Sequence, residues 1–148
     1  MELDKIPPEV FINSVIYAAH KQYGHKRKNV FRWKAMKLVF EVANAVEYPN
    51  LSFGCYKYGW YSFQTDLILR EIFSTKSLHG GKFGSGSINK ELVNRVYPII
   101  GKLESIFSKR GYKTFLIWAH EERIPEQYRP LYKYNDQLLK NLKKLSDN

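Results

Sequence analysis

Lys21, Lys26, Arg27, Lys28, Arg32, Lys34 and Lys37 fall between Glu9 and Glu41, an interval with no acidic residue between its ends. The chemistry they offer is phosphate contact: a run of cations without interleaved carboxylates is the electrostatic footprint of a surface that meets a polyanion. His25 opens the densest stretch, His25-Lys26-Arg27-Lys28. A solvated helix face is the alternative for an ordinary charge run, but such a face usually mixes both signs.

A second group is aromatic. Tyr56, Tyr58, Trp60 and Tyr61 stand with Lys57 just before Ser62-Phe63. Flat rings beside a cation can stack unpaired bases; equally, they can pack one side of a small core with their hydroxyls reaching water. A third is glycine-rich, Gly80-Gly81-Lys82-Phe83-Gly84-Ser85-Gly86-Ser87. Backbone N–H groups and Lys82 there could cradle a phosphate, or the segment could be a flexible linker or wing tip. It is not a Walker A loop, because no Gly-Lys-Ser/Thr follows at the needed spacing.

Catalytic groups are sparse. His120-Glu121-Glu122 lacks a second His four residues on, so it forms no zincin helix, and His20, His25 and His79 have no ligand-like spacing. No Asp/Glu-x-Lys triplet occurs, which argues against one common nuclease core. Cys55 would be a nucleophile only beside a folded-in His; a small buried hydrophobe is its ordinary role. Neither a metal nor a cofactor is implied, and no motif identifies a reaction.

These groups must be placed by elements that are mostly helical. Pro7-Pro8-Glu9 suits a helix start, and Phe11, Ile12, Val15, Ile16 and Ala19 give one apolar stripe as far as Tyr23, with Gly24 as a stop. Asn29 can cap a second helix whose stripe is Met36, Val39, Phe40, Ala43 and Val46. Lys34, Lys37, Glu41 and Asn44 then fall on its other side, and it ends near Tyr48-Pro49-Asn50. The connection between the two helices makes a helix-turn-helix-like DNA reader compatible, without diagnostic residues. Leu51 to Tyr61, with two glycines and many β-favouring residues, predicts a loop or a short strand.

Ser62 caps a third helix with Leu67, Ile68, Ile72 and Phe73 inward, and residues 74–87 form a flexible Gly/Ser loop. A fourth helix starts near Ser87 or Ile88, with Leu92, Val96, Ile99, Ile100, Leu103, Ile106 and Phe107 on its stripe. Pro98 should kink or divide it. Residues 112–119 suit a short helix or a strand. A last helix follows Pro125 and Pro130 with Leu131, Leu138, Leu142 and Leu145 inward. The expectation is a mainly α, single compact domain, residues 1–148, of five to six helices with room for a small β element or wing near residues 51–58.

Bulk composition agrees. The 148 residues are 44% hydrophobic, enough for a core in one domain, and 24 basic against 14 acidic residues leave a net charge of +10. One cysteine excludes an internal disulfide and suits a reducing compartment. No apolar run reaches the roughly 18 residues that span a bilayer. A soluble cytoplasmic protein without a membrane partner is the expectation.

The stretch Lys34-Ala-Met-Lys-Leu-Val-Phe40 followed by Phe53-Gly-Cys-Tyr-Lys-Tyr-Gly-Trp-Tyr-Ser62 resembles the Panacea (SocA-like) antitoxin domain, over residues 30–75 at most. Members pair an early Lys-Leu-containing helix with a Tyr-Gly-Pro-x-Ser turn that opens a helix. Here Tyr58-Gly59-Trp60-Tyr61-Ser62 occupies that turn, with Trp60 where members carry Pro. The resemblance implies a mostly helical fold and a regulatory or toxin-neutralising role through protein contacts.

Three functions follow as expectations. The first is a non-catalytic, basic nucleic-acid-binding protein gripping DNA or RNA phosphates through residues 21–37. The second is a protein–protein module, antitoxin-like or an assembly subunit, which includes a homo-oligomer. The third is a nucleoprotein coat or architectural protein.

Overall fold

The computed structural model describes residues 1–23, 32–56, 59–74, 88–107 and 118. Among them the chain is mainly helical, with five α-helices, a leading 3-10 turn over Leu3–Lys5 and one two-stranded antiparallel hairpin.

Helix α1 spans Pro8–Tyr23. Pro8 opens it without losing a hydrogen bond, and the Phe11 N–H closes the first turn on the Pro7 carbonyl at 3.0 Å. Its apolar face is broader than one stripe: Phe11, Ile12, Val15, Ile16, Ala18, Ala19 and Tyr23 are all buried. It packs mainly on α4, Lys90–Lys102.

Helix α2, Arg32–Val46, is the centre of the fold, because α1, α3, α4 and the hairpin all lie against it. Buried positions therefore run round much of its circumference: Lys34, Ala35, Met36, Leu38, Val39, Val42, Ala43 and Val46. It stops through a left-handed residue. Glu47 has φ 56°, and the Tyr48 N–H returns to the Ala43 carbonyl at 2.8 Å, the six-to-one closure of a Schellman motif. That reversal inserts Tyr48, whose ring stacks on Phe11 at 3.9 Å and whose hydroxyl donates to the Ile6 carbonyl. Asn50 donates to the carbonyls of Asp4 and Ile6 at 2.8 and 3.2 Å, tying the N-terminal turn down.

Strands β1, Gly54–Tyr56, and β2, Gly59–Tyr61, pair with Gly54 opposite Tyr61, Cys55 opposite Trp60 and Tyr56 opposite Gly59. The hairpin lies on α2: Trp60 stacks on Phe40 at 4.7 Å, and Phe53 meets the same ring edge-on at 5.3 Å. The β element expected near 51–58 is thus this hairpin, set slightly later.

Ser62 caps α3, Phe63–Ser74, as its spacing suggests: its Oγ accepts the Thr65 N–H at 3.1 Å. Thr65, Leu69 and Ile72 form the buried stripe at i, i+4, i+7, with Ile68 and Phe73 half-buried beside it. Leu67 does not join them. It lies two residues from Leu69, on the opposite side of the helix, and is 67% exposed.

Asn89 caps α4, its Oδ1 accepting the Leu92 N–H at 2.9 Å. Pro98 neither stops nor divides the helix. The carbonyl it strips of a partner belongs to Asn94, and both residues are exposed, so water can serve that oxygen. The break comes at Leu103, after which α5, Glu104–Phe107, returns Phe107 to the core. Trp118 is buried edge-on against Phe107. The buried residues of these elements form one hydrophobic cluster. Gly24, Asn29, residues 75–87 of the Gly/Ser loop, 112–117, Ala119 and the last expected helix lie outside the described residues.

Candidate nucleic-acid interface

Lys21 is exposed in the last turn of α1, its ammonium 5.1 Å from the centre of the Tyr17 ring. A cation there also suits the negative end of the helix dipole. Arg32 is the first residue of α2, with its side chain outside the described part. His25, Lys26, Arg27 and Lys28, in the connection between the two helices, lie outside it as well, as do Lys57, Tyr58 and Lys82 and the side chain of Tyr56.

Two members of the basic group require correction. Lys34 is only 4% exposed, and its Nζ donates to the Phe107 carbonyl at 3.1 Å. Lys37 reaches the Trp60 carbonyl at 2.9 Å. Burial pushes the Lys37 amine down to about 8, with the neighbouring Cys55 pulling weakly the other way. Neither side chain stands on the solvated side that a one-faced helix would give it. The reason is that α2 is covered on several sides. This also accounts for part of the missing acids, since these two lysines are served by backbone carbonyls.

Trp60 and Tyr61 are half-buried and packed against neighbours, whereas Phe63 is exposed. Trp60 spends a ring face on Phe40, and the Tyr61 hydroxyl donates to Asp66 Oδ2 at 2.8 Å while its ring meets Phe63 edge-on at 5.0 Å. Asp66 also takes Arg70 through Nε at 3.0 Å and Nη2 at 2.9 Å, which links the hairpin to α3. These contacts pack the hairpin against α2 and α3.

Burial shifts two further titratable groups. Burial raises the Tyr23 hydroxyl, helped by Glu104, and that hydroxyl donates to the Ile100 carbonyl at 2.9 Å. Burial lowers His20, disfavouring its imidazolium. His120, Glu121 and Glu122 lie outside the described residues. Within the described residues no three His, Cys, Asp or Glu side chains gather as a metal site, and no helix is long and apolar enough to cross a membrane.

One surface feature escaped the sequence reading. Phe63 and Leu67, 69% and 67% exposed, stand one turn apart on the outer side of α3. The signal was present in the spacing, because residues i and i+4 share a face and this face is not that of Thr65, Leu69 and Ile72. Comparison with known proteins finds no matching family model, no matching curated protein and no matching solved structure.

Proposed function

We propose that this chain is a non-catalytic nucleic-acid-binding protein that contacts phosphates through the basic groups between the body of α1 and the start of α2. The observation that carries this reading is the net charge of +10 together with an acid-free interval from residue 10 to residue 40. Lys34 and Lys37 drop out of the contact set, which leaves Lys21, Lys26, Arg27, Lys28 and Arg32, with His25 able to join when protonated. Lys57 and Lys82 are secondary candidates.

The test is binding to labelled duplex and single-stranded DNA and RNA across a salt series. Each phosphate contact contributes about −0.9 to the slope of log K against log salt on duplex DNA. Five contacts therefore give a slope between about −4 and −5. A slope near zero, or no binding at low salt, overturns the proposal.

The exposed pair Phe63 and Leu67 favours a second reading, a protein–protein module of the antitoxin-like or assembly type. Its mark is a stoichiometric complex or self-association that survives high salt, where a phosphate contact is screened away.

A further inference from the structure

The last residue of α1 and the third residue of α2 are tied to one short stretch of chain. Tyr23 is 1% exposed, and its hydroxyl donates to the Ile100 carbonyl at 2.9 Å. Lys34, buried as well, donates to the Phe107 carbonyl at 3.1 Å. The two bonds join residues 77 and 73 positions apart, so both fix tertiary placement rather than a local turn. Ile100 lies in the last turn of α4 and Phe107 closes α5. The stretch between them is braced: the Leu103 N–H returns to the Ile100 carbonyl at 3.1 Å, and the Ile106 and Phe107 N–H groups return to the Leu103 carbonyl at 3.0 and 2.9 Å.

Two of the phosphate-contact candidates stand beside these ties. Lys21 is two residues before Tyr23, and Arg32 is two residues before Lys34. Two positions along an α-helix are about 200° apart round its axis. Positions 21 and 32 therefore fall on the sides of their helices away from the ties, and Lys21 is exposed accordingly. We propose that Tyr23 and Lys34 are positioning residues for nucleic-acid binding: by anchoring the end of α1 and the start of α2 to residues 100–107, they set the spacing of the backbone at Lys21 and Arg32 at which basic groups meet phosphates. This inference rests on the phosphate-contact reading above.

The physical argument is preorganisation. The terminal turns of a helix lack part of their own hydrogen bonds and open most readily. A basic group carried on such a turn loses rotamer freedom on meeting a phosphate, and loses more if the backbone beneath it must be ordered at the same time. Measured affinity falls by the fraction of time that the backbone spends in the competent arrangement. A tie from each terminal turn to one braced stretch keeps that fraction high. Neither tie is itself a phosphate contact, because both donors are spent on buried carbonyls. Their removal therefore changes affinity by a similar factor at every salt concentration and leaves the number of contacts, and so the salt slope, as it was.

The experiment is a salt titration of binding to labelled duplex and single-stranded DNA and RNA by the wild type, Tyr23→Phe, Lys34→Met and Ser62→Ala, each checked for folding by circular dichroism at the assay temperature. Ser62→Ala removes the cap of α3, a helix that carries none of the contact candidates, and so reads the effect of lost stability alone. Tyr23→Phe and Lys34→Met should each weaken binding about threefold to tenfold, the scale of one hydrogen bond's hold on a helix end, with the wild-type salt slope. Ser62→Ala should bind as the wild type does. Amide hydrogen exchange in the last turn of α1 should quicken in Tyr23→Phe. That variant keeps the ring and carries the test alone where Lys34→Met does not fold. A folded Tyr23→Phe that binds as tightly as the wild type overturns this inference and leaves the phosphate-contact reading standing. So does an equal loss in Ser62→Ala, which makes the effect one of stability, or a shallower slope in both variants, which makes the two residues contacts. A wild type that shows no salt-dependent binding overturns the phosphate-contact reading and this inference with it.

Discussion

Lys34 illustrates how one residue can answer two questions at once. A cation near the start of a helix in an acid-free interval has the sequence marks of a phosphate ligand, yet its nitrogen donates to the buried Phe107 carbonyl. Replacing it with methionine keeps much of the volume and removes a buried charged donor from the Phe107 oxygen, at a cost of about 1–3 kcal/mol. Lys21→Ala, on the surface, should stay within about 0.5 kcal/mol of the wild type. Urea unfolding of the two variants distinguishes them, and equal midpoints would show that the Lys34 bond is not structural.

Lys37 adds a pH signature. Its amine is at about 8 in the fold and about 10.4 in an unfolded chain, so between these values the unfolded chain holds more protons. Stability should therefore rise with pH from about 8, with the cost of the buried charge, up to about 3 kcal/mol, fully present below that. Tyr23 and Tyr48 act in the opposite sense. Burial raises both, so above about 10 the unfolded chain ionises its tyrosines first and stability falls. Denaturation at a series of pH values should show a rise and then a fall, and Lys37→Met should remove the rising limb alone.

At the scale of elements, the start of α3 was legible because a side chain makes its cap, whereas α4 begins at Lys90 behind Asn89 rather than near Ser87 or Ile88. Ser62 and the start of α3 follow from one hydroxyl that can accept the Thr65 N–H, and Ser62→Ala should cost about 1 kcal/mol in thermal or urea unfolding. The C-terminal turn of α2 was not legible in the same way. The left-handed position there is held by Glu47 rather than by the glycine that usually marks it. Glu47→Gly should accordingly raise stability by up to about 1 kcal/mol, the relieved backbone strain outweighing the extra freedom of the unfolded glycine. A lower melting temperature in that variant would mean that the Glu47 side chain contributes more than the strain costs.

Faces were harder to read than boundaries. One amphipathic stripe describes α4 well, because it has a solvated side, but not α1, whose buried positions run unbroken from Phe11 to Ile16. It fails for α2, where Ala35, Leu38 and Val42 are buried beside the expected Met36, Val39, Ala43 and Val46. Those extra apolar residues were the available sign that α2 is covered from several directions and that lysines among them need not meet water. On α3 the same stripe placed Leu67 inside by type, although its position relative to Leu69 puts it outside.

For the whole molecule, charge is the property that sequence reports directly and structure redistributes. A net +10 is independent of the fold, and it supplies the attraction to a polyanion. How many of those charges touch phosphate depends on which side chains the fold has taken inside, and this separates two kinds of variant. Charge reversal of Arg27 and Lys28 together should weaken binding to every sequence tested and make the slope of log K against log salt shallower by about 2, the number of contacts removed. Lys34→Met should leave that slope unchanged while lowering the unfolding midpoint, because its bond is to Phe107. The two measurements, salt titration and denaturation, thus move in opposite pairs. If Lys34→Met also flattens the salt dependence with the protein still folded, the inward-turned lysine belongs to the interface after all. If the Arg27 and Lys28 reversal leaves the slope unchanged, the connection between α1 and α2 is not what meets the phosphates.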